Sequence, residues 1–198
     1  VGVPRLEVEF TAPCYLFYDS AVQKLYLLDY ANLTVWGLLS GAGATLERIA
    51  GNGMSGTFID GVSATSASFP SLNGITRGSS GDLYLIGRML DSIIRFTPGG
   101  AIYHTSCTGL VYPSLLCSDG TSLYFLDSDN KNLMRYTISS NTTTVLCSSC
   151  DSSSTVLGDG GPASSANLNY PCGIFAVPHD GIYIADTGNH RVRKIILY

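Results

Sequence analysis

One structural unit recurs four times along this chain, and the repetition constrains the fold more than any single residue. The two most regular copies are residues 74–96 (GITRGSSGDLYLIGRMLDSIIRF) and 173–195 (GIFAVPHDGIYIADTGNHRVRKI), whose matching positions lie 99 residues apart (173−74, 195−96). Shorter copies are residues 13–29 and 113–127. A repeat of this kind cannot bury its apolar face alone, so the fold must stack successive copies.

Each copy predicts a sheet of short antiparallel strands separated by turns rich in Gly, Asp or Ser. The second strands are apolar at every position, so both faces of each are expected to be covered. These strands read LYLL (25–28), LYLI (83–86), LYFL (123–126) and IYIA (182–185). Radial stacking of such sheets predicts an all-β chain, a single β-propeller domain of four blades. The blade units are expected at about 11–50, 70–106, 111–148 and 169–198.

Two related insertions interrupt the repeat. Residues 60–69 (DGVSATSASF) match residues 159–168 (DGGPASSANL), again 99 residues apart (159−60). Both consist mainly of small residues and end on a large apolar one, Phe69 or Leu168. We expect loops between blades, anchored by these apolar ends. Their polar tips, near Asp60 and Asp159, are the candidate binding positions, because function on a rigid scaffold concentrates in its loops.

Residues 158–195 resemble an NHL repeat preceded by the inter-blade insertion of that family. The second copy departs from the pattern, since Gly87 replaces the aspartate that ends the second strand. The resemblance implies a β-propeller, and most propellers of this family have six blades, whereas this sequence has four units. Two arrangements fit: a closed four-blade ring, in which residues 5–10 (RLEVEF) complete the last blade, or part of a six-bladed ring. An open ring would leave blade faces through which a homodimer could form.

Composition argues against two classes of partner. Charged residues make up 13% of the chain and the formal net charge is −4, which disfavours binding to the nucleic-acid backbone. The basic cluster Arg191, Arg193 and Lys194 lies on a predicted strand, where it has a structural explanation. No apolar run reaches the roughly 18 residues of a membrane-spanning helix, so no transmembrane segment is expected in this chain.

Cysteines and glycosylation sequons together predict an extracellular or cell-surface protein, with this chain as an excised ectodomain. The six cysteines are expected to include at least one disulfide, and they are Cys14, Cys107, Cys117, Cys147, Cys150 and Cys172. Cys14 and Cys172 occupy equivalent sites in units that would be neighbours only in a closed ring. Cys147-Ser-Ser-Cys150 predicts a structural bridge or free thiols. The sequons begin at Asn32 and Asn141. Asn32 also has a structural interpretation, because Asp29/Asn32, Asp127/Asn130 and Asp186/Asn189 share one spacing typical of turns.

Catalytic residues are not evident. The three histidines, His104, His179 and His190, are dispersed, and no metal-binding or nucleophile motif occurs, so no catalytic residue, metal or cofactor is expected. The resemblance implies three function classes: partner binding, RNA binding, and a metal-dependent peptidyl-hydroxyglycine lyase. The acidic balance disfavours RNA, and the dispersed histidines disfavour the lyase. We therefore predict a non-enzymatic module that binds a protein or glycan.

Overall fold

The computed structural model describes residues 3–4, 8–41, 45–148 and 157–197. The strands of these residues, in chain order, are β1 (Val3–Pro4), β2 (Pro13–Asp19), β3 (Lys24–Asp29), β4 (Thr34–Leu39), β5 (Thr45–Ala50), β6 (Gly74–Arg77), β7 (Leu83–Ile86), β8 (Ser92–Phe96), β9 (Ile102–Thr108), β10 (Pro113–Ser118), β11 (Ser122–Asp127), β12 (Asn132–Thr137), β13 (Thr142–Cys147), β14 (Pro171–Val177), β15 (Gly181–Asp186) and β16 (Arg191–Ile195). Three short 3-10 helices are the other regular elements described, at Ala64–Ser66, Ala163–Ser165 and Thr187–Asn189.

Four antiparallel sheets follow one another along the chain, which confirms the predicted all-β propeller of four blades. Blade one contains β2 to β5 with β1 on its outer edge, blade two β6 to β9, blade three β10 to β13, and blade four β14 to β16. Each blade is a meander of consecutive strands, as expected when short turns connect antiparallel neighbours. None of the helices in the described residues has the length and apolar character needed to cross a membrane.

A shared turn ends the second strand in three blades. Asp29 is fully buried and accepts hydrogen bonds from the backbone N–H groups of Thr11 (3.0 Å) and Ala12 (2.9 Å) and from Asn32 Nδ2 (2.8 Å). Asn130 donates in the same way to Asp127, and Asn189 to Asp186. The structural interpretation of the Asp/Asn spacing is therefore confirmed.

Blade two replaces this turn for a steric reason. A Cβ on Gly87 would lie 2.2 Å from the carbonyl oxygen of Ser71, so no side chain fits there. The Ser71 hydroxyl instead accepts from the Met89 N–H (2.8 Å), and the Asn73 side chain accepts from the Arg88 N–H (2.8 Å). The side chains of Ser71 and Asn73, which precede the first strand of blade two, thus accept the turn's backbone hydrogen bonds in place of the missing aspartate.

Three clusters of buried apolar side chains fill the interfaces between successive blades. The first joins blades one and two and includes Phe69, the second joins blades two and three around Phe125, and the third joins blades three and four and includes Leu168. Phe69 is 0% exposed and Leu168 is 1% exposed, so the two insertions are anchored as predicted. The strands β7 and β11 are buried at every position, because each lies in a blade with neighbours on both sides.

The end blades differ from the sequence-based expectation. None of the three clusters in the described residues joins blade four to blade one, and Leu16 on β2 and Phe175 on β14 are exposed. The expectation that both faces of every second strand are covered holds only in part for β3 and β15, where Leu27 and Tyr183 are half-buried. Four blades in series make three packed interfaces, which leaves one face of each end blade in contact with solvent.

The first strand of the described residues is not the closing strand expected at residues 5–10. It is Val3–Pro4, which pairs with Leu46 and Thr45 on the outer edge of blade one. Residues 8–10 form no strand, and residues 5–7 lie outside the described part of the chain. The described N-terminal residues do not complete blade four, whose sheet consists of β14, β15 and β16. Short pairing with β5 instead protects the open edge of blade one.

Candidate functional site

Each insertion crosses the outer edge of the blade that follows it. In the first insertion, the backbone around Val62 pairs with the start of β9, through an isolated bridge between Ser63 and Ala101. Hydrogen bonds run from the Gly61 N–H to the Ile102 carbonyl and from the Ile102 N–H to the Val62 carbonyl, both 2.9 Å long. The insertion therefore acts as a short extra strand beside blade two, and this pairing places Asp60 next to β9.

Asp60 holds a histidine at the surface of blade two. Its Oδ1 atom lies 2.7 Å from His104 Nδ1 and accepts a 2.8 Å hydrogen bond from the His104 backbone N–H. Phe58 stacks on the imidazole, with 4.3 Å between ring centroids and an interplanar angle of 8°. The backbone hydrogen bond is the main cause that lowers the pKa of the Asp60 carboxyl. The imidazole is thus held both at its edge and on one face.

A cavity of about 340 Å³ opens beside this pair, and we call it the His104 cavity. Blade two contributes Arg95 and Tyr103, and blade three contributes Tyr136 and Asn141. Arg95 and Tyr103 are both exposed, whereas the Tyr136 hydroxyl is already bonded to Asn141 Oδ1 at 2.8 Å. The cavity therefore offers a guanidinium, an imidazole and aromatic surfaces to a polar ligand.

Asp159, the equivalent of Asp60, has a different partner. Its carboxylate lies 2.6 Å from Arg193 Nη2 and 3.3 Å from Arg191 Nη1. Arg193 also donates to the carbonyls of Leu157 (2.9 Å) and Asn167 (3.0 Å), so it binds the insertion to β16. The basic cluster seen in the sequence is thereby explained structurally for Arg193. A groove of about 630 Å³ lies between this insertion and β16.

The remaining histidines lie in turns. His179 is between β14 and β15 with φ 62°, and His190 ends the 3-10 helix Thr187–Asn189 with φ 55°. Across residues 3–4, 8–41, 45–148 and 157–197, no group of three or more His, Cys, Asp or Glu side chains is placed to hold a metal ion. Of the three histidines, His104 lines the 340 Å³ cavity beside Asp60.

Cys14 and Cys172 are exposed free thiols, so the bridge considered between them is not present. They do occupy equivalent positions, since each lies at the irregular pairing between the first two strands of its blade. Cys107 and Cys117 are buried free thiols, and burial raises the pKa of the Cys117 thiol to about 12. Cys147 Sγ lies 2.9 Å from the carbonyl oxygen of Ala166, and Cys150 falls outside the described residues.

The two sequons differ in geometry. Asn32 Nδ2 donates to Asp29 Oδ2 (2.8 Å) and to Thr11 Oγ1 (3.1 Å), and Thr34 is buried. Asn141 is exposed on the turn before β13, where its side-chain oxygen accepts the Tyr136 hydroxyl. Glycan attachment uses the amide nitrogen, which is occupied by structural hydrogen bonds in Asn32.

We therefore expect N-glycosylation at Asn141 and none at Asn32 when the chain is secreted from eukaryotic cells. Intact-mass measurement before and after enzymatic deglycosylation should show one glycan. Asn141→Gln should remove it, and Thr34→Val, which destroys the other sequon, should leave the glycan mass unchanged. A glycan mapped to Asn32 would contradict the structural role of its amide group.

Sequence analysis found Asp60 but not its partners. His104 is 44 residues away (104−60), and the repeat gives no signal that the insertion pairs with β9. Arg95, Tyr103 and Tyr136 were not singled out either, because their side chains fit ordinary strand patterns. The usable signal is the insertion itself, which adds backbone that must find hydrogen-bond partners near a blade edge.

Comparisons with known proteins agree on the fold. Residues 168–195 match the family model described as NHL repeat. No curated protein has a sequence that matches this chain significantly. Solved structures with 14% to 18% sequence identity superpose on nearly the whole chain, and at this identity they show the fold alone.

Among these structures is the virginiamycin B lyase of Staphylococcus aureus, with 18% identity and a TM-score of 0.56, covering 94% of this chain and 52% of that chain. A chain of the nidogen/laminin complex has 14% identity and a TM-score of 0.59, covering 93% of this chain and 80% of that chain. An auxiliary nutrient binding protein of Bacteroides thetaiotaomicron has 17% identity and a TM-score of 0.57, covering 86% of this chain and 44% of that chain. This chain therefore spans about half the length of the lyase.

Proposed function

We infer that this NHL-repeat β-propeller is a non-enzymatic binding module, which recognises a protein partner through the His104 cavity. The observation that carries the proposal is the Asp60–His104 pair, which the first insertion forms in addition to its packing between blades and its pairing with β9. Propellers host many activities, so the argument rests on this site rather than on the fold.

The His104 cavity is organised before any partner arrives. Asp60 and Phe58 hold the imidazole in one orientation, so little side-chain freedom is lost on binding. Arginine and tyrosine are among the residues that contribute most to protein interfaces; the Arg95 side chain is 50% exposed, and Tyr103 as a whole residue is 41% exposed. A polar or acidic protein surface complements this combination.

Two structures with a similar fold support a binding role. One is a chain of a complex between nidogen and laminin, and the other is a nutrient binding protein. The lyase supports the alternative of an enzyme on the same fold. Binding and catalysis differ in what His104 must do. A binding residue contributes to affinity together with Arg95 and Tyr103, whereas a catalytic residue is needed for turnover.

We also propose that the protein is secreted or displayed at the cell surface. The exposed sequon at Asn141 supports this location. The cysteine pair that we expect to form a disulfide is Cys147 with Cys150, because only two residues separate them in the sequence. Non-reducing peptide mapping of protein from its native source should find that pair linked, and two free thiols at these positions would argue against the oxidising compartment.

The test is recovery of partners from extracellular extract on the immobilised chain. The double variant Asp60→Ala/His104→Ala should reduce recovery of the principal protein by about 10-fold, a typical effect for a residue at the centre of an interface. Asp159→Ala is the matched control, since it changes the equivalent loop tip, and it should retain recovery. Equal recovery by the double variant would reject the His104 cavity as the binding site.

Two further measurements separate the alternatives. Enzymatic deglycosylation of the extract should leave recovery unchanged, whereas loss of recovery would indicate a glycan partner. Metal-dependent turnover of a peptidyl-hydroxyglycine substrate by the intact chain, abolished by His104→Ala, would overturn the non-enzymatic function.

A further inference from the structure

Asn141, the exposed residue of the second sequon, also lines the His104 cavity. It lies in the turn between β12 and β13 with φ 54°, a left-handed conformation that asparagine adopts more readily than most residues. Its side-chain oxygen accepts the Tyr136 hydroxyl (2.8 Å), and its backbone carbonyl accepts the Ser106 hydroxyl of β9 (3.1 Å). The residue expected to carry a glycan is therefore fixed between blades two and three, at the wall of the cavity.

The side-chain nitrogen of Asn141 is available for glycan attachment. Among the residues that the structure describes, no hydrogen bond uses this nitrogen, whereas the Asn32 nitrogen makes two. Thr143, which completes the sequon, is exposed on β13. Because the nitrogen and the oxygen bonded to Tyr136 belong to one amide group, an attached sugar begins beside the Tyr136 hydroxyl.

Three side chains on neighbouring strands form the blade-two wall of the cavity. Tyr84, Arg95 and Tyr103 lie directly across from one another on β7, β8 and β9, so they share one face of the sheet. Tyr84 is buried, whereas Tyr103 is exposed. Within the described residues the Arg95 guanidinium makes one ion pair, with Asp82 Oδ2 at 3.8 Å, which is longer than a hydrogen bond. The wall therefore offers an accessible aromatic ring beside available N–H donors.

A wall of this kind suits a sugar. The C–H groups of a pyranose ring pack on an aromatic ring, and its hydroxyl and acetamido oxygens accept hydrogen bonds from a guanidinium. Cavities for small ligands have volumes of about 300 to 1,000 Å³. The His104 cavity, about 340 Å³, lies at the lower end of that range, so it has room for one sugar and not for a whole glycan. The sugar in question is the first one, N-acetylglucosamine, which is linked directly to asparagine.

We propose that the first sugar of an N-glycan on Asn141 fills the His104 cavity, where it packs on Tyr103 and accepts hydrogen bonds from Arg95. Attachment gives this sugar an effective concentration of about 1 mM or more, so even weak contacts favour its binding in the cavity. The consequence rests on the proposed function, because the sugar and the partner protein then compete for one cavity. N-glycosylation does not modify every copy of a chain, so secretion yields two forms. The unmodified form binds the partner, and the glycosylated form is closed.

Three forms of the secreted chain test this competition. They are the fully glycosylated chain, the same chain trimmed by an endoglycosidase to one sugar at Asn141, and Thr143→Val, which has no sequon there but keeps Asn141. Immobilised Thr143→Val should recover the principal partner at least ~10-fold better than either glycosylated form, because the sugar occupies the centre of the binding site. Thr143→Ser is the matched control, since it keeps the sequon and should keep both the glycan and the low recovery.

A second measurement needs no partner protein. In the form with a single sugar, nuclear Overhauser effects should connect the acetamido methyl group of the sugar to the ring protons of Tyr103. Tyr103→Ala should sharpen the signal of this methyl group, because the sugar loses the ring on which it packs and becomes more mobile.

Defined outcomes separate this proposal from the proposed function. It fails if the secreted chain has no glycan at Asn141, or if no contact between the sugar and Tyr103 is detected. It also fails if the glycan leaves recovery unchanged while Asp60→Ala/His104→Ala, added to Thr143→Val, reduces it, and the proposed function then stands. If that added double substitution leaves recovery unchanged, the proposed function fails. The contact between the sugar and Tyr103 then decides alone whether the sugar fills the cavity.

Discussion

Replacing Phe69 by alanine is expected to lower the free energy of unfolding by about 3–5 kcal/mol. The ring is 0% exposed and packs edge to face against Phe58, with 5.9 Å between centroids, in the cluster that joins blades one and two. Truncation removes buried apolar surface and leaves a cavity that the surrounding sheets cannot collapse to fill. Urea denaturation followed by circular dichroism or tyrosine fluorescence measures the change. The slope of the free energy of unfolding against urea concentration should stay the same in both proteins if the unfolding transition is the same.

Two further variants serve as comparisons for Phe69→Ala, one at the equivalent anchor and one at an exposed position of the same loop. Leu168→Ala removes the equivalent anchor of the second insertion and should cost about 2–5 kcal/mol. Ile59→Ala lies in the same loop as Phe69, but Ile59 is 80% exposed, so its effect should stay within about 0.5 kcal/mol. A loss below about 1 kcal/mol for Phe69→Ala would mean that the first insertion does not anchor the blades. Because Phe58 also stacks on His104, partner binding by this variant should weaken as well.

The second large effect is expected from Asp29→Ala, on the order of 3 kcal/mol. The substitution leaves the backbone N–H groups of Thr11 and Ala12 without their acceptor and frees the Asn32 amide group. These donors hold the chain that enters blade one against the end of β3. Asp129→Ala is the control, because Asp129 is an exposed aspartate in the equivalent turn of blade three, and its effect should be small.

Asp29 also makes stability depend on pH. Burial acts to raise the pKa of this carboxyl, but hydrogen bonds from Thr11, Ala12 and Asn32 outweigh it, so the pKa in the folded chain is lower than usual. A lowered pKa contributes stability that is complete above the unfolded value of about 3.9 and is lost as pH falls through the folded value. The wild-type chain should therefore lose stability more steeply than Asp29→Ala below about pH 4. Parallel acid limbs for the two proteins would contradict this assignment.

The blade architecture follows from local sequence. The strand β7 and residues 123–126 of β11 are apolar at every position, a pattern typical of strands that are covered on both faces, and both segments are buried throughout. Equally, a large apolar residue after a run of small ones predicted the buried positions of Phe69 and Leu168. The buried strands and the buried anchors both follow from the hydrophobic effect acting on short runs of neighbouring residues. The repeat alone therefore predicts them.

Only the tertiary structure decided which backbone edges pair with which segments. A strand at residues 5–10 was expected to complete blade four, yet residues 8–10 form no strand and Val3–Pro4 pairs with β5, because a short strand can join an open edge within reach. Gly87 departs from the repeat because the Ser71 carbonyl occupies the space for a side chain. Asp60 meets His104 across 44 residues because the insertion pairs with β9, whereas Asp159 meets arginines in a blade whose described sheet has three strands. Sequence periodicity determined the blades, while the contacts between them and their loops depend on distances that exist only once the chain has folded.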